Sequence, residues 1–247
     1  MARATIAIVP RDGSPATVHQ GSLNNLNLTL PRNTSYEIGL DPSTTCTGFY
    51  MMDAEDTFHV IGDFPRGTQY KYDYFNDVRS FMQRTVSGLR IQRFVREEPP
   101  PMRDRAAAAL AEYKGIIESW RDSQHGIVEL SLVPKYDWDS IMPSAWKSLI
   151  LDKRKGKGRF NVKQEIAKDL CDKFPELYQY YQYVNPSSDY DGFDACGAFR
   201  GYNWSRFNKD GVSTTMSTKD YNGDVMIYLR QMTRAEATDK DAIFQGF

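Results

Sequence analysis

Residues Tyr36 to Phe64 read YEIGLDPSTTCTGFYMMDAEDTFHVIGDF, in which three apolar runs are separated by turn-forming residues. Short runs rich in β-branched and aromatic residues, bounded by Pro, Ser, Asp and Gly, are typical of β-strands. Their close spacing favours antiparallel pairing of each strand with the one before it. The segment therefore predicts a three-stranded meander.

The chain downstream of this meander alternates between helical and strand-like patterns. Apolar residues recur at helical spacing in several stretches, and one of these, AAAALAEYKGIIESW, also has a high helix propensity. This order of elements predicts an α/β fold with a mixed five-stranded sheet flanked by helices. The expected helices are at 73–86, 104–120, 140–151, 161–174 and 189–204, and the expected further strands are at 89–96 and 127–133.

Composition divides the chain into three parts. Residues 1–34 contain a short apolar run and an Asn-rich stretch, and we expect them to form an N-terminal extension. Residues 35–204 carry the periodic elements and should form the core domain. Residues 205–247 are polar and are expected to form a C-terminal extension, in which Asn222-Gly223 is a turn favoured in two-residue hairpins.

The overall composition is that of a globular protein without an excess of either charge. The net charge is −1, so bulk charge gives no reason to expect nucleic-acid binding. Neither a secretory signal nor a run of about 18 apolar residues is present, so we expect a cytoplasmic location and no membrane partner. Three widely spaced cysteines fit neither a disulfide framework nor a zinc motif. Any metal is therefore expected to be a hard cation bound by carboxylates.

Acidic residues stand at the ends of two predicted strands. Asp41 follows the buried run YEIGL, and a buried carboxylate is costly unless it is hydrogen-bonded or bound to a cation. The alternative is that Asp41 caps the following turn through the backbone. Glu97 and Glu98 end the strand at 89–96, directly before three prolines, and period-two alternation should point one of them inward.

A further pair of acids opens the last predicted helix. Asp191 and Asp194 are three residues apart, so both side chains can lie on one helical face. Asp189 or Asp191 can instead cap the helix N-terminus, whereas Asp194 lies deeper, beside small residues. Gathered carboxylates suit phosphodiester hydrolysis, because two Mg²⁺ ions about 4 Å apart can activate a water and stabilise the leaving 3′ oxygen. Without cations the carboxylates would repel one another.

These motifs, in this order, resemble the RuvC-type Holliday junction resolvases of the RNase H-like superfamily. The resemblance spans roughly residues 36–202 and rests on IGLDPSTTCTG, FVREEP and the D-x-x-D of DGFDACGAF. It implies an RNase H-like fold, a homodimer, and Mg²⁺-dependent symmetric nicking of four-way DNA junctions, with Mn²⁺ able to substitute. The catalytic metal ligands that it implies are Asp41, Glu97, Asp191 and Asp194, with Glu98 as the alternative to Glu97.

Basic residues follow in the segments MPSAWKSLIL and KGKGRFNVKQEIA. In the resolvases that the chain resembles, this region precedes the last helices and contacts DNA. A solvated loop that runs into a surface helix is the alternative. The DNA-contact residues that the resemblance implies are Lys147, Arg154, Lys155, Lys157 and Lys163. The terminal extensions and the triple proline depart from the compact bacterial pattern and are closer to phage or viral relatives, which would act in a host cytoplasm.

Other functions fit parts of the same pattern. One is a catalytically inactive RNase H-like module that binds nucleic acid, and another is a nuclease that acts on RNA–DNA hybrids. The run IGLDPSTTCTG also resembles the first phosphate-binding turn of the actin and sugar-kinase superfamily, but a second Gly-rich phosphate loop is not found. A tyrosine cluster predicts either stacking on unpaired bases or a tyrosine-rich core or dimer contact. Its members are Tyr178, Tyr180, Tyr181 and Tyr183.

Overall fold

A computed structural model of the chain describes residues 3–97, 109, 111–117, 138–141, 146–147, 162–184 and 190–209. Within these ranges seven strands form one sheet. They are β1 (Ala4–Pro10), β2 (Thr17–Gly21), β3 (Ser35–Asp41), β4 (Cys46–Asp53), β5 (Phe58–Pro65), β6 (Arg90–Glu97) and β7 (Trp138–Ile141). The longer helices are α1 (Lys71–Val86), α2 (Val162–Lys173) and α3 (Asp191–Lys209). Shorter helical pieces are Leu23–Asn25, residues 111–117, Pro175–Leu177 and Tyr178–Tyr181.

The strand order across the sheet is β2-β1-β5-β4-β3-β6-β7. Strands β3, β4 and β5 pair antiparallel, which confirms the predicted meander. Strand β6 pairs parallel with β3, and β7 pairs parallel with β6. The carboxyl ends of these three parallel strands therefore meet at one edge of the sheet, as in the RNase H-like arrangement that the resemblance implies.

The predicted α/β class with a mixed, helix-flanked sheet is confirmed, but the sheet has two more strands than the five expected. The additional strands, β1 and β2, come from the N-terminal extension. Strand β1 pairs antiparallel with β5, with Ile6 opposite Gly62, and β2 pairs with β1. Without them the backbone groups along the free edge of β5 would lack ladder partners. The extension thus completes the sheet on this side.

The region between β6 and α2 differs from the sequence prediction. Ser140 and Ile141, expected to begin a helix, belong to β7 instead, opposite Arg96 and Glu97. Pairing with a neighbouring strand overrides a local helical pattern here, as tertiary context often does. The strand expected at 127–133 lies outside the described residues, and so does the chain after Lys209. Helix α3 runs five residues past the expected end at 204.

Two apolar layers cover the faces of the sheet. Side chains alternate along each strand, so Tyr36, Ile38 and Leu40 face α1 and the helical residues 111–117. Tyr50 and Met52 face the opposite layer, which holds α2 and α3. Each fully buried large apolar side chain contributes roughly 1.5–3 kcal/mol relative to an exposed one. The result is a three-layer domain with α3 lying against the middle of the sheet.

Helices α1 and α2 match the expected positions within two residues. Helix α1 buries one apolar stripe, in which Tyr74, Val78 and Phe81 recur at helical spacing. None of the helices in the described ranges combines the length and hydrophobicity that a bilayer crossing needs.

Candidate active site

Asp41 is the last residue of β3 and faces α3. Its neighbours Ile38 and Leu40 pack in the opposite layer, whereas Gly39 touches α3 so closely that a Cβ built there would lie 2.7 Å from the backbone oxygen of Ala195. Because side chains alternate along a strand, Asp41 shares the side of Gly39. The side chain is buried, with the residue only 8% exposed. A carboxylate is thereby placed beneath α3 at the carboxyl edge of the sheet.

Glu97 ends β6, the strand next to β3. Leu40 lies beside Arg96 in the parallel register, so Asp41 and Glu97 follow each other at neighbouring strand ends. Val95 belongs to the core layer of α3, and alternation puts Glu97 on that same side. The indole Nε1 of Trp146 donates to Glu97 Oε2 at 2.6 Å and orients the carboxylate. Glu98, the alternative ligand, lies outside the described residues.

Helix α3 supplies the other two predicted acids. It begins at Asp191, and Asp194 follows one turn later on the same face. Both residues are almost fully buried, at 1% and 3% exposure. One carboxylate oxygen from each of Asp41, Asp191 and Asp194 lies within 4.8 Å of the other two. Three predicted acids therefore share one buried position, which we call the acid cluster.

Glycine permits the close approach of α3 that forms the acid cluster. A Cβ built at Gly48 on β4 would lie 1.8 Å from the backbone oxygen of Asp191, so any side chain there would displace the helix start. On the helix, a Cβ at Gly192 would lie 2.8 Å from the backbone oxygen of Gly62. Backbone thus packs against backbone on both sides, which holds Asp191 close to the strand ends.

The N-terminus of α3 is capped from the sheet. The backbone N–H of Gly192 donates to Asp63 Oδ1 at 2.8 Å, so an aspartate on β5 satisfies one of the free donors of the first turn. Tyr190, directly before the helix, has a φ of +55°, which costs a non-glycine residue about 1–3 kcal/mol. Because Asp63 supplies this cap, the helix does not need Asp191 to cap this donor. Asp189 lies outside the described residues.

Burial and mutual repulsion dominate the electrostatics of the acid cluster. Burial, together with the charges of Glu97, Asp194 and Asp191, raises the pKa of Asp41 well above its ordinary value. Burial also raises the pKa of Asp194 to about 7, against the opposing charges of Lys147 and Lys163. Asp194 Oδ1 is buried and has no hydrogen-bond partner among the described residues. The folded chain thus holds carboxylates whose negative charge is incompletely compensated.

Two of the lysines predicted to contact DNA lie beside these carboxylates. Lys163, on α2, donates from Nζ to Asp191 Oδ1, and its Nζ is 3.8 Å from Asp194 Oδ2. Burial lowers the pKa of Lys163, but the charges of Asp191 and Asp194 outweigh it and raise the pKa above its ordinary value. Lys147 Nζ lies 4.9 Å from the ring centroid of Trp146. Arg154, Lys155 and Lys157 lie outside the described residues.

A second group of possible ligands, Cys46, Asp63 and Asp191, also lies within 4.8 Å. Asp63 already accepts hydrogen bonds from Gly192 and from Tyr180 Oη. Burial raises the pKa of the Cys46 thiol, so the thiolate that binds metals is disfavoured. This group therefore has a structural explanation. All three cysteines are free and buried, consistent with the absence of a disulfide framework in the sequence.

Among the described residues of this region, sequence reasoning missed Asp63 as well as Trp146. The signal of Asp63 was present in the run VIGDF, where a single acid stands among apolar residues and a glycine. Its partners on α3 and at Tyr180 are more than 100 positions away in the chain, so only the folded structure identifies its role.

The acid cluster fits a divalent hard cation. Its donors are carboxylate oxygens, the ligand type that Mg²⁺ and Mn²⁺ prefer. Asp194 Oδ1, which has no hydrogen-bond partner in the described ranges, offers a lone pair inside the cluster. A cation would offset the burial and the repulsion that raise the pKa of Asp41 and Asp194. These residues are therefore suited to hold a metal.

Comparisons with known proteins give similar structures only. No family model matches the chain, and no curated protein matches it. The structure is similar to Thermus thermophilus RuvC solved in complex with a Holliday junction substrate, at 12% identity and a TM-score of 0.47, covering 69% of this chain and 96% of that chain. Another structure of Thermus thermophilus RuvC is similar at 13% identity with the same coverages and TM-score. We therefore infer the function from this chain's own residues.

Proposed function

We propose that this protein is a Mg²⁺-dependent, structure-selective endonuclease that nicks Holliday junctions or other branched DNA by two-metal hydrolysis. The observation that carries the proposal is the meeting of three buried carboxylates within 4.8 Å at the carboxyl edge of the sheet, one with an oxygen that has no hydrogen-bond partner in the described part of the chain. If these carboxylates had only a structural role, their mutual repulsion would oppose folding and serve no function.

In this proposal Asp41, Asp191, Asp194 and Glu97 hold the metal ions. The bound ions would activate a water molecule and stabilise the leaving 3′ oxygen. Asp41 and Glu97 project from neighbouring strand ends, whereas Asp191 and Asp194 project from the helix above them. Trp146 fixes the orientation of Glu97 through its indole N–H, so less reorganisation is needed when ions bind.

The lysines would serve the DNA backbone. Lys163 and Lys147 bring positive charge to the edge of the acid cluster, where the scissile phosphate would lie. Arg154, Lys155 and Lys157 are proposed to contact phosphates further along the strand. Contacts of this kind position a duplex without reading its sequence.

Carboxylate ligands accept both Mg²⁺ and Mn²⁺, so we expect Mn²⁺ to substitute for Mg²⁺. Symmetric nicking of a four-way junction needs two active sites, and the proposed assembly is therefore a homodimer. Sedimentation velocity with and without junction DNA would measure it.

The decisive test uses a synthetic four-way junction with Mg²⁺. The wild-type protein should nick it symmetrically. Asp41→Asn should bind it but cut at least about 100-fold more slowly, because even the loss of a residue that hydrogen-bonds to a metal ligand lowers activity about 10–100-fold. Asp73→Asn, which changes an exposed acid on α1, is the matched control and should cut at the wild-type rate. The measurement is nicked product on a denaturing gel.

Other outcomes separate the alternatives. Equal cutting of linear duplex and junction would remove the claim of structure selectivity. Preferential cutting of an RNA–DNA hybrid would favour that substrate instead. Junction binding without calorimetric Mg²⁺ binding would favour the inactive nucleic-acid-binding module.

A further inference from the structure

Three tyrosines form a stack that begins beside the acid cluster and ends in solvent. The rings of Tyr178 and Tyr181 have centroids 5.7 Å apart and planes 17° from parallel. Tyr181 and Tyr190 repeat this arrangement at 5.7 Å and 18°. Tyr190 is buried and directly precedes Asp191, whereas Tyr178 is 54% exposed. We call these three residues the tyrosine stack.

The neighbours of Tyr178 hold the stack in place. Gln179 accepts from the backbone N–H of Ala16 at 2.7 Å and donates to the backbone oxygen of Ser14 at 3.0 Å. Tyr180 points inward and donates to Asp63, and Tyr181 Oη accepts from Gln164 Nε2 at 3.2 Å. The one-turn helix is thus anchored on two sides, while the Tyr178 ring projects to the surface. A ring held in this way loses little conformational entropy when something stacks on it.

Basic residues accompany the tyrosine stack along α2. Lys168 is exposed and lies one turn after Gln164, on the side of the helix that contacts Tyr181. Lys163, one residue before Gln164, reaches the acid cluster. A nucleic-acid strand running from the acid cluster toward Tyr178 would therefore meet positive charge.

We propose that Tyr178 is a stacking platform for an unpaired base of the DNA strand whose phosphate lies at the acid cluster. This inference rests on the proposed function and deepens it, because it gives the substrate an unpaired base close to the cleavage position. Aromatic platforms of this kind accept any base, since every base has a π-face. Opened junctions and flaps supply such bases, whereas a continuous duplex does not.

A second copy of the chain is a poorer occupant of this surface. Among the described residues the exposed large hydrophobic side chains are Tyr70, Tyr178 and Tyr183. A stable protein interface buries about 800 Å² on each partner around an apolar core. Isolated rings do not provide such a core, but one ring is enough for one base.

The test uses a four-way junction carrying 2-aminopurine at successive positions around its centre, bound to Asp41→Asn protein so that the strands stay intact. Stacking quenches 2-aminopurine fluorescence, and we expect quenching at one or two adjacent positions. Adding Tyr178→Ala should abolish this quenching and weaken binding about 10-fold, whereas Tyr178→Phe should keep both. Tyr183→Ala is the matched control, because Tyr183 is 53% exposed and joins no ring pair among the described residues. It should change neither readout.

Unchanged quenching and affinity in Tyr178→Ala would overturn the proposal. A change in sedimentation coefficient with unchanged quenching would also overturn it and assign Tyr178 to a dimer contact. A single-stranded 2-aminopurine oligonucleotide separates this proposal from the nuclease assignment, since it needs no cleavage. Tyr178-dependent quenching in a protein that never nicks DNA would refute the nuclease function alone.

Discussion

Two clusters of buried charge lie along α3, and they are compensated differently. At the first turn, the acid cluster and Glu97 bring carboxylates together with two lysines nearby, Lys147 and Lys163. Two turns later, Arg200 is equally buried, but it forms an ion pair with a carboxylate of opposite charge. The two clusters share the same helix and the same core layer.

The second cluster is a closed ring of polar contacts. Arg200 Nη2 donates to Tyr50 Oη at 2.9 Å and to Asp56 Oδ1 at 3.3 Å. Arg11 donates to Asp56 and, at 2.9 Å, pairs with Glu176. His59 closes the ring, with Nε2 2.8 Å from Glu176 Oε1 and Nδ1 2.7 Å from Tyr50 Oη. We call these six residues the arginine ring.

Protonation in the arginine ring follows from its contacts. Burial lowers the pKa of His59, so the imidazole is neutral. The Glu176 carboxylate can only accept, so the proton is on Nε2, and Nδ1 accepts from Tyr50. The ring therefore balances two arginines with two carboxylates.

The comparison shows that burial of charge does not by itself indicate function. The arginine ring is as buried as the acid cluster, but its charges are paired and its structural role is sufficient. The acid cluster keeps raised carboxyl pKa values, because its carboxylates outnumber the two lysines beside them. Incomplete compensation is the property that marks a site for a cation.

The largest effect is expected from a substitution that breaks the arginine ring. Arg200→Met should lower the free energy of unfolding by about 3–5 kcal/mol, because Arg11 would then be the one arginine of the ring left to balance the buried carboxylates of Asp56 and Glu176. Urea denaturation would measure this, with Arg79→Met on the exposed face of α1 as a control that stays within about 0.5 kcal/mol. A small effect of Arg200→Met would mean that the ring contributes little.

Addition of Mg²⁺ should act on one cluster only. At about 100 times its Kd, Mg²⁺ should stabilise the wild-type protein by about 2.7 kcal/mol, because it binds the folded chain. Thermal unfolding should show the rise in Tm for wild type and for Tyr50→Phe, which alters the ring, but not for Asp194→Asn. An equal rise in all three proteins would place the cation elsewhere.

The pH dependence of the metal-free protein sharpens the comparison further. The pKa of Asp194 is raised to about 7 in the folded protein, against an ordinary value of 3.8, so the folded state holds this proton more tightly than the unfolded chain. The contribution of Asp194 protonation to the free energy of unfolding is therefore lost as pH rises from about 4 to 7, and above pH 7 no further loss from this group is expected. In EDTA, Asp194→Asn should be more stable than wild type by on the order of 2 kcal/mol at pH 8, and by less at pH 5.

Urea denaturation across this pH range would measure that difference. A pH-independent difference between the two proteins would contradict the raised pKa.

The smallest effect is expected from a substitution that removes one hydroxyl from the arginine ring. Tyr50→Phe leaves Arg200 and His59 without their shared partner, which should cost about 1–2 kcal/mol in the free energy of unfolding. Cleavage of the junction should stay at the wild-type rate, since the acid cluster is unchanged. Loss of cleavage would show that the two clusters are coupled through α3.

Much of the acid cluster could be predicted from local sequence. Asp41 ends an apolar run, the spacing of Asp191 and Asp194 puts them on one helical face, and these signals need only strand and helix periodicity. The sequence left Glu97 and Glu98 as alternatives, and the packing of Val95 places Glu97 on the side of β6 that faces α3, whereas Glu98 lies outside the described residues. The role of each acid stays a prediction until cleavage is measured.

The arginine ring was not predictable in this way. Arg11 lies in the predicted N-terminal extension, and its partner Glu176 is far along the chain. Arg200 stands on α3, and only the packing of α3 on β4 brings it to Tyr50. Contacts set by the order of strands in a sheet have no local signature. The two added strands escaped prediction for the same reason.

Asp63 gives the fold a shared foundation for two proposed tasks. Its two carboxylate oxygens bind different elements, Gly192 at the start of α3 and Tyr180 in the one-turn helix that carries Tyr178. One side chain on β5 therefore helps to position both the acid cluster, where the strand would be cut, and Tyr178, where its base would stack. The distance between these two positions therefore depends on Asp63, and a substitution at Asp63 would displace both the start of α3 and the one-turn helix that carries Tyr178.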